Sequence, residues 1–427
     1  MKKLPTFDGG LLFAHPDDTR EIDARDDPMA EISAALHAAG PVIKGRGFAK
    51  NGGAAVEFAG ITFPNIMTPP SYTERGAYCA VGWEAVRSVY TNRAFSSKVF
   101  EDTVGKMWGP ALSPMDPPEH TKYRAIMQKG FTPGRIKNYE DRIIRPVIAR
   151  RFDAIKRDGR ADLVPQVNSF YPFEVVGGIV GFDPTAVEFV GACFYRMWQA
   201  NVDPVAAMEA SNALKDYTKA LIDSRRGEPP RDDLVSAMME AEVGGAPLSA
   251  ERLNGMIVHF MAGGIDTTFK QSGILAHTLL SHPEQFDRLK KDRSLIPAAV
   301  EECIRYEGIG NLIVRQAAED TEVCGTLVPK GAIMFLMHGV TNRDPGRWSN
   351  PDVFDIDRPP QQQIQFGNGP HACIGQHLAR FMLARYVEHL IDDLPGLRWD
   401  PGLDAVPKIT GWTQRTALSV PVVWDVA

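Results

Sequence analysis

Two segments of the sequence combine reactive side chains with backbone that a chain selected for stability alone would avoid. The first is Phe366-Gly367-Asn368-Gly369-Pro370-His371-Ala372-Cys373-Ile374-Gly375, which runs into the helical pattern Gln376-His377-Leu378-Ala379-Arg380-Phe381. A cysteine just ahead of a helix faces amide N–H groups without intrahelical partners and the positive end of the helix dipole. Both lower a thiol pKa, so the placement of Cys373 predicts a thiolate, the form that binds metal. Glycines at 367, 369 and 375 would let the backbone approach a flat ligand and aim amides at the sulfur, and Phe366 could pack near it. Two blander readings fit the same residues. One is a structural cysteine on a sharp turn. The other is half a zinc site from His371, Cys373 and His377, for which nothing nearby supplies the second half at the usual spacing.

The second segment is Ala262-Gly263-Gly264-Ile265-Asp266-Thr267-Thr268, in the middle of a long apolar helical pattern. Its two glycines cost about 2 kcal/mol relative to alanine, and Asp266 puts a carboxylate among apolar neighbours. The Thr267 hydroxyl can bond back to the Gly263 carbonyl, bending the helix and opening a groove for oxygen or water. A close helix–helix contact through small residues, with Asp266 paired to a base, accounts for the same letters.

The elements that must position these segments are mostly helical. Periodicity predicts helices over Ala30–Ala39, His120–Lys129, Tyr139–Lys156, Pro184–Gln199, Ala206–Arg226, Asp232–Glu242, Ser249–Ser281, Pro283–Lys291, Ile296–Tyr306 and Gly375–Ile391. Strands are expected at Ala55–Phe58, Leu312–Arg315, Glu322–Cys324, Ile333–His338 and Ala417–Trp424, the last with Leu418, Val420, Val422 and Trp424 on one face. The fold class expected is mainly α with minor β. At 44% hydrophobic residues among 427, the chain can build a core deep enough to enclose a cofactor. A net charge of −6 offers no general attraction to nucleic acid or to an anionic membrane. The N-terminus lacks an apolar run long enough for a signal peptide, and no stretch approaches the length of a spanning helix, so a cytoplasmic protein without membrane contact is expected. The five cysteines are scattered and lack a C-x-x-C, which argues against a disulfide framework.

The cysteine segment resembles the signature F-x-x-G-x-[RH]-x-C-x-G of the cytochrome P450 family, matched by Phe366, Gly369, His371, Cys373 and Gly375. The family pattern [AG]-G-x-[DE]-T-[TS] is matched by Gly263, Gly264, Asp266, Thr267 and Thr268. Glu302 and Arg305 match E-x-x-R, with Arg358 as third member of a structural network, and Asn342-Arg343-Asp344-Pro345 follows in family order. The resemblance spans essentially the whole chain and implies one domain over residues 1–427. In that fold haem b lies between a long central helix and the helix following the cysteine loop. It further implies Cys373 as iron ligand, and Asp266 and Thr267 as the pair delivering protons to dioxygen. His120 and Arg124 (H-x-x-x-R), Arg315 and His371 are implied as partners of the haem propionates.

The implied activity is monooxygenation of a small organic substrate by dioxygen. No Walker-type or dinucleotide fingerprint is present, so bound flavin or nicotinamide is not expected. Electrons would come from a ferredoxin and its NAD(P)H reductase, with Lys122, Arg124, Lys129, Arg135 and Lys137 as a basic docking patch. His259, Gly263, Asn311 and Trp412 are substrate-pocket candidates, and the polar pair His259 and Asn311 favours an oxygenated terpenoid or aromatic. A peroxide-driven peroxygenase and a non-catalytic haem sensor or carrier remain open at this point.

Overall fold

The long apolar pattern forms a single helix, Ala250–Ser281, capped by the Ser249 hydroxyl, which accepts from the Arg252 N–H. At 1.5 Å per residue it spans about 48 Å. Apolar on nearly every face, it runs through the core and packs against Tyr171–Val180, Pro204–Arg225, Ile296–Tyr306 and Gln376–Asp392. The computed structural model describes residues 28–48, 55–64, 75–200, 203–411 and 414–426.

A mixed sheet flanks this helical body. Its strands are β1 (Val42–Lys44), β2 (Ala77–Ala80), β3 (Phe95–Ser96), β4 (Ile313–Ala317) and β5 (Ile333–Leu336), in the spatial order β1-β2-β5-β4-β3. β2 and β5 pair in parallel, with Phe335 opposite Cys79, and the other pairs are antiparallel. Alternation along β5 sends Ile333 and Phe335 to one apolar cluster and Met334 and Leu336 to another, so both faces of the sheet are covered.

Several boundaries differ from expectation for identifiable reasons. The run expected as one helix from Tyr139 to Lys156 is a helix at Pro133–Tyr139, a π-helical turn at Glu140–Ile144 and a helix at Arg145–Asp153. Pro146 has no N–H to offer the carbonyl four residues earlier, and the wider turn absorbs the missing bond. The Asp232–Glu242 helix shortens to Leu234–Met239, and Glu242–Val243 pairs instead with Ala246–Pro247. The C-terminal strand is broken into Thr416–Ala417 and Pro421–Val423. Between them Asp162 accepts from the Ser419 hydroxyl and the Val420 N–H, at 2.5 and 2.8 Å. Val420, Val422 and Trp424 are buried as expected, whereas Leu418 is only half-buried.

The helices Trp83–Thr91 and Tyr171–Val180 were not foreseen. The first begins where the Trp83 N–H donates to Asp344 Oδ2 at 2.8 Å, a cap supplied from 261 residues away. Asn342 Oδ1 accepts the Ile364 N–H at 2.9 Å, just ahead of the cysteine loop. The Asn342–Pro345 motif therefore ties the start of helix Trp83–Thr91 to that loop.

Candidate active site

The cysteine loop is built by two glycines in the left-handed region, Gly367 at φ 69° and Gly369 at φ 66°. A Cβ on Gly369 would stand 2.7 Å from the Tyr90 carbonyl oxygen, so the loop closes against Trp83–Thr91 only with glycine there. Gly369→Ala is accordingly expected to cost about 1–3 kcal/mol, read as a lowered urea midpoint, from the strained φ and the clash together. Gly375 adopts an ordinary φ of −87°, and its use is local openness rather than backbone freedom. The Cys373 N–H donates to the Phe366 carbonyl at 2.7 Å, turning the chain so that the sulfur stands ahead of Gln376–Asp392. Phe366 lies under Arg380, whose guanidinium carbon is 4.5 Å from the ring centroid and which is itself paired to Glu301.

Cys373 has open area, and that area faces a cavity of about 240 Å³. Burial pushes its thiol up, against the opposing pull of the Gly375 N–H, Arg124, Arg380 and the Gln376 N–H. The expectation of an intrinsically acidic thiol is thus corrected, because desolvation outweighs the helix start.

The long helix supplies the opposite wall through Phe260, Gly263, Gly264, Thr267 and Thr268. A Cβ on Gly263 would meet nothing within 4 Å, so this glycine leaves room in the cavity. The Thr267 hydroxyl donates to the Gly263 carbonyl at 2.6 Å, as the spacing predicted. Asp266 does not line the cavity: its carboxylate is buried and held at 3.0 Å by Lys270, one turn on. Lys270 also bonds Gln414 and lies 5.7 Å from the Trp198 ring centroid. Burial raises the Asp266 carboxyl, and the Lys270 charge opposes that rise. Sequence reasoning left this base unidentified, although the i, i+4 spacing of Lys270 from Asp266 could have marked it.

His120, Arg124 and His371 line the same cavity. The two imidazoles lie with centroids 4.0 Å apart and planes tilted by 34°, His120 Nδ1 is buried with no hydrogen-bond partner, and His371 Nε2 is 3.2 Å from Ser97 Oγ. Burial and the nearby arginines push His120 down to about 4 and His371 to about 3, so both are neutral at physiological pH. Arg124 makes no ion pair among the described residues, an unusual state for a half-buried guanidinium. Arg315 does not itself line the cavity; it stands behind the two histidines, its N–H bonded to the Val314 carbonyl at 2.8 Å, and its charge lowers the pKa of both.

Two pocket candidates fare differently from His259 and Gly263, which both line the cavity. Asn311 is corrected: it is buried 3.6 Å from the Met29 sulfur, where a Cβ on Gly339 would collide with it, away from the cavity. Trp412 lies outside the described residues. Sequence reasoning missed Ser113, which faces the cavity opposite His259; no local motif marks it.

The donor set fits one kind of group. An apolar slot with a sulfur on one wall, a side-chain-free glycine on the other, and an unpaired arginine beside an orphaned imidazole matches a flat metal macrocycle bearing carboxylates. A family model described as cytochrome P450 matches residues 204–395. The chain is 32% identical to the mycinamicin IV hydroxylase/epoxidase of Micromonospora griseorubida over 85% of this chain and 93% of that one. It is 30% identical to the vitamin D3 dihydroxylase of Streptomyces griseolus over 83% and 89%. The solved structure of PksS, the cytochrome P450 of the Bacillus subtilis bacillaene polyketide synthase, superposes with a TM-score of 0.81 over 93% of this chain and 97% of that one. At 24% identity it speaks to the fold alone.

The chain belongs to the cytochrome P450 family and has its mainly helical fold. It is a haem-thiolate monooxygenase of the bacterial type, working with dioxygen, an organic substrate and a redox partner. No helix among the described residues is long and apolar enough to cross a membrane.

Proposed function

We propose that Cys373 ligates the iron of a haem b whose propionates are held by His120, Arg124, His371 and, from behind, Arg315, within one domain comprising the whole chain. The observation that carries this is the single cavity that Cys373 shares with Gly263, Arg124 and the partnerless His120 Nδ1. When bound, the haem supplies dioxygen activation and insertion of one oxygen atom into a substrate bond. The chain's part is to hold and move protons and to keep the slot dry. Thr267 presents its hydroxyl at the cavity wall, and Asp266, raised by burial and steadied by Lys270, is the carboxyl next to it that exchanges protons. Asp266→Asn is expected to lower kcat about 10²-fold with little change in KM, read by steady-state product formation.

The substrate is read as a small organic molecule, an oxygenated terpenoid or aromatic, since the wall combines Leu112, Val176 and Phe260 with the polar His259 and Ser113. Electrons are read as coming from a ferredoxin and its NAD(P)H reductase, in the cytoplasm, without bound flavin. The docking patch is smaller than the sequence suggests. Arg135 is paired with Asp232, Lys137 with Glu140 and Asp141, and Arg124 faces the cavity, which leaves Lys122 and Lys129 exposed. The reading is tested by the reduced carbonyl spectrum of the holoprotein together with substrate-dependent oxygen uptake. A red-shifted thiolate band and uptake that requires ferredoxin and reductase are expected. Turnover with hydrogen peroxide alone, and none with the reductase pair, would overturn the monooxygenase reading.

A further inference from the structure

His259 lies four residues before Gly263, and its ring stacks on Trp108 with centroids 5.1 Å apart and planes 20° from parallel. The Leu112 N–H donates to His259 Nδ1 at 3.4 Å. A ring nitrogen that accepts carries no proton, and burial pushes His259 down to about 4, so at neutral pH the one ring proton is on Nε2. That N–H meets Ser113 Oγ at 2.7 Å. The serine oxygen therefore accepts, and its own proton is left for another acceptor. No described residue takes it. Both side chains line the cavity.

The loop carrying Ser113 is fixed on both flanks. Upstream, a Cβ on Gly255 would lie 2.9 Å from the Pro110 nitrogen, so loop and long helix touch there, and Arg252 donates to the Pro110 carbonyl at 3.3 Å. Downstream, Asp116 accepts from the Ser97 N–H at 2.8 Å and from the Ser96 hydroxyl at 2.5 Å. A donor held this way loses little freedom when it binds. Thr267 cannot take the same role, because its hydroxyl proton is already given to Gly263.

We propose that the Ser113 hydroxyl, turned by His259, donates to a carbonyl or ether oxygen of the substrate, so that the cavity selects otherwise apolar molecules with one acceptor oxygen. Ser113 is then a specificity residue in contact with substrate, and His259 a positioning residue. The inference rests on the haem-thiolate reading, since it places the substrate in the space that the haem leaves.

The probes are 4-phenylcyclohexanone and phenylcyclohexane, which differ by one carbonyl. Their affinities for the holoprotein are read as a Soret shift and, independently, as quenching of the tryptophan emission that is lost in a Trp108→Phe control. The quantity of interest is the ratio of the two Kd values. Ser113→Ala is expected to move the ratio about three- to ten-fold against the ketone, His259→Phe to move it the same way, and Ser113→Thr to restore it. A ratio unchanged in Ser113→Ala overturns the proposal. So does an equal weakening of both probes, and so does failure of the wild type to bind the ketone. A lost haem complement in Ser113→Ala would mean that the hydroxyl serves a propionate, which also overturns it. Failure of the haem reading is a separate result, a wild type without the thiolate carbonyl band, and the fluorescence arm still gives the ratio in that case.

Discussion

Replacing Cys373 by alanine is expected to leave a folded protein whose reduced carbonyl complex lacks the red-shifted thiolate band, with product formation down by on the order of 10³-fold or more. Cys373 is the one cysteine lining the cavity among the described residues; Cys79, Cys193 and Cys303 are buried elsewhere, and Cys324 is exposed beyond the strand Thr321–Val323. No second thiol can step in, and the Met127 and Met382 thioethers that also line the cavity cannot become thiolates. Burial raises the free thiol, so protein alone does not hold a thiolate there, and the charge of a bound metal is what would favour deprotonation. The fold should survive because the loop's shape comes from the Cys373 N–H, the left-handed glycines and the Arg380–Glu301 pair, none of which needs the thiol. Cys324→Ser, made in parallel, should keep the band. An unchanged band in Cys373→Ala would sink the ligand assignment.

The two reactive segments were legible because their letters contradict their surroundings. Glycine pairs, a buried acid and a cysteine at a helix start are each unfavourable without a purpose, and the structure brings Cys373, Gly263 and Thr267 to one cavity. Long amphipathic or fully apolar runs were equally legible: Pro283–Lys291 and Ile296–Tyr306 fall where periodicity placed them. What stayed hidden depends on partners distant in sequence. The helix Trp83–Thr91 takes its cap from Asp344, and nothing local to Gly82 announces it. Ser113 acquires meaning only when the loop meets His259, a contact across 146 residues. Asn311 failed for the converse reason, since nothing local to it says which way its side chain packs. The pKa of Cys373 was misjudged because a helix start is visible in sequence, whereas the depth of burial that opposes it is not.

Glu302→Ala is expected to cost about 3–5 kcal/mol, a large share of the roughly 5–15 kcal/mol that keeps a domain folded, and to lose haem with it. Glu302 accepts two bonds from Arg305, both 2.8 Å, two from Arg358 Nε at 3.0 and 3.1 Å, and the Asp355 N–H at 3.0 Å. All three charged side chains are buried, so removing the carboxylate strands two guanidinium groups at once. Those groups still have work holding the chain. Arg305 donates to the carbonyls of Asn342, Pro351 and Val353, and Arg358 to those of Ser349, Asn350 and Val353. Their repulsion would therefore loosen residues 342–358, from which Asn342 reaches Ile364 at the base of the cysteine loop. Stability and haem retention should fall together, measured as the urea midpoint and the haem content after gel filtration. Arg305→Lys should also destabilise, because an ammonium cannot make the bidentate contact and reach three carbonyls. Glu302→Ala combined with Arg305→Met should cost less than the sum of the two changes, since the second removes a charge that the first left unpaired. A Glu302→Ala protein with the wild-type midpoint would show that the network is not what braces the loop.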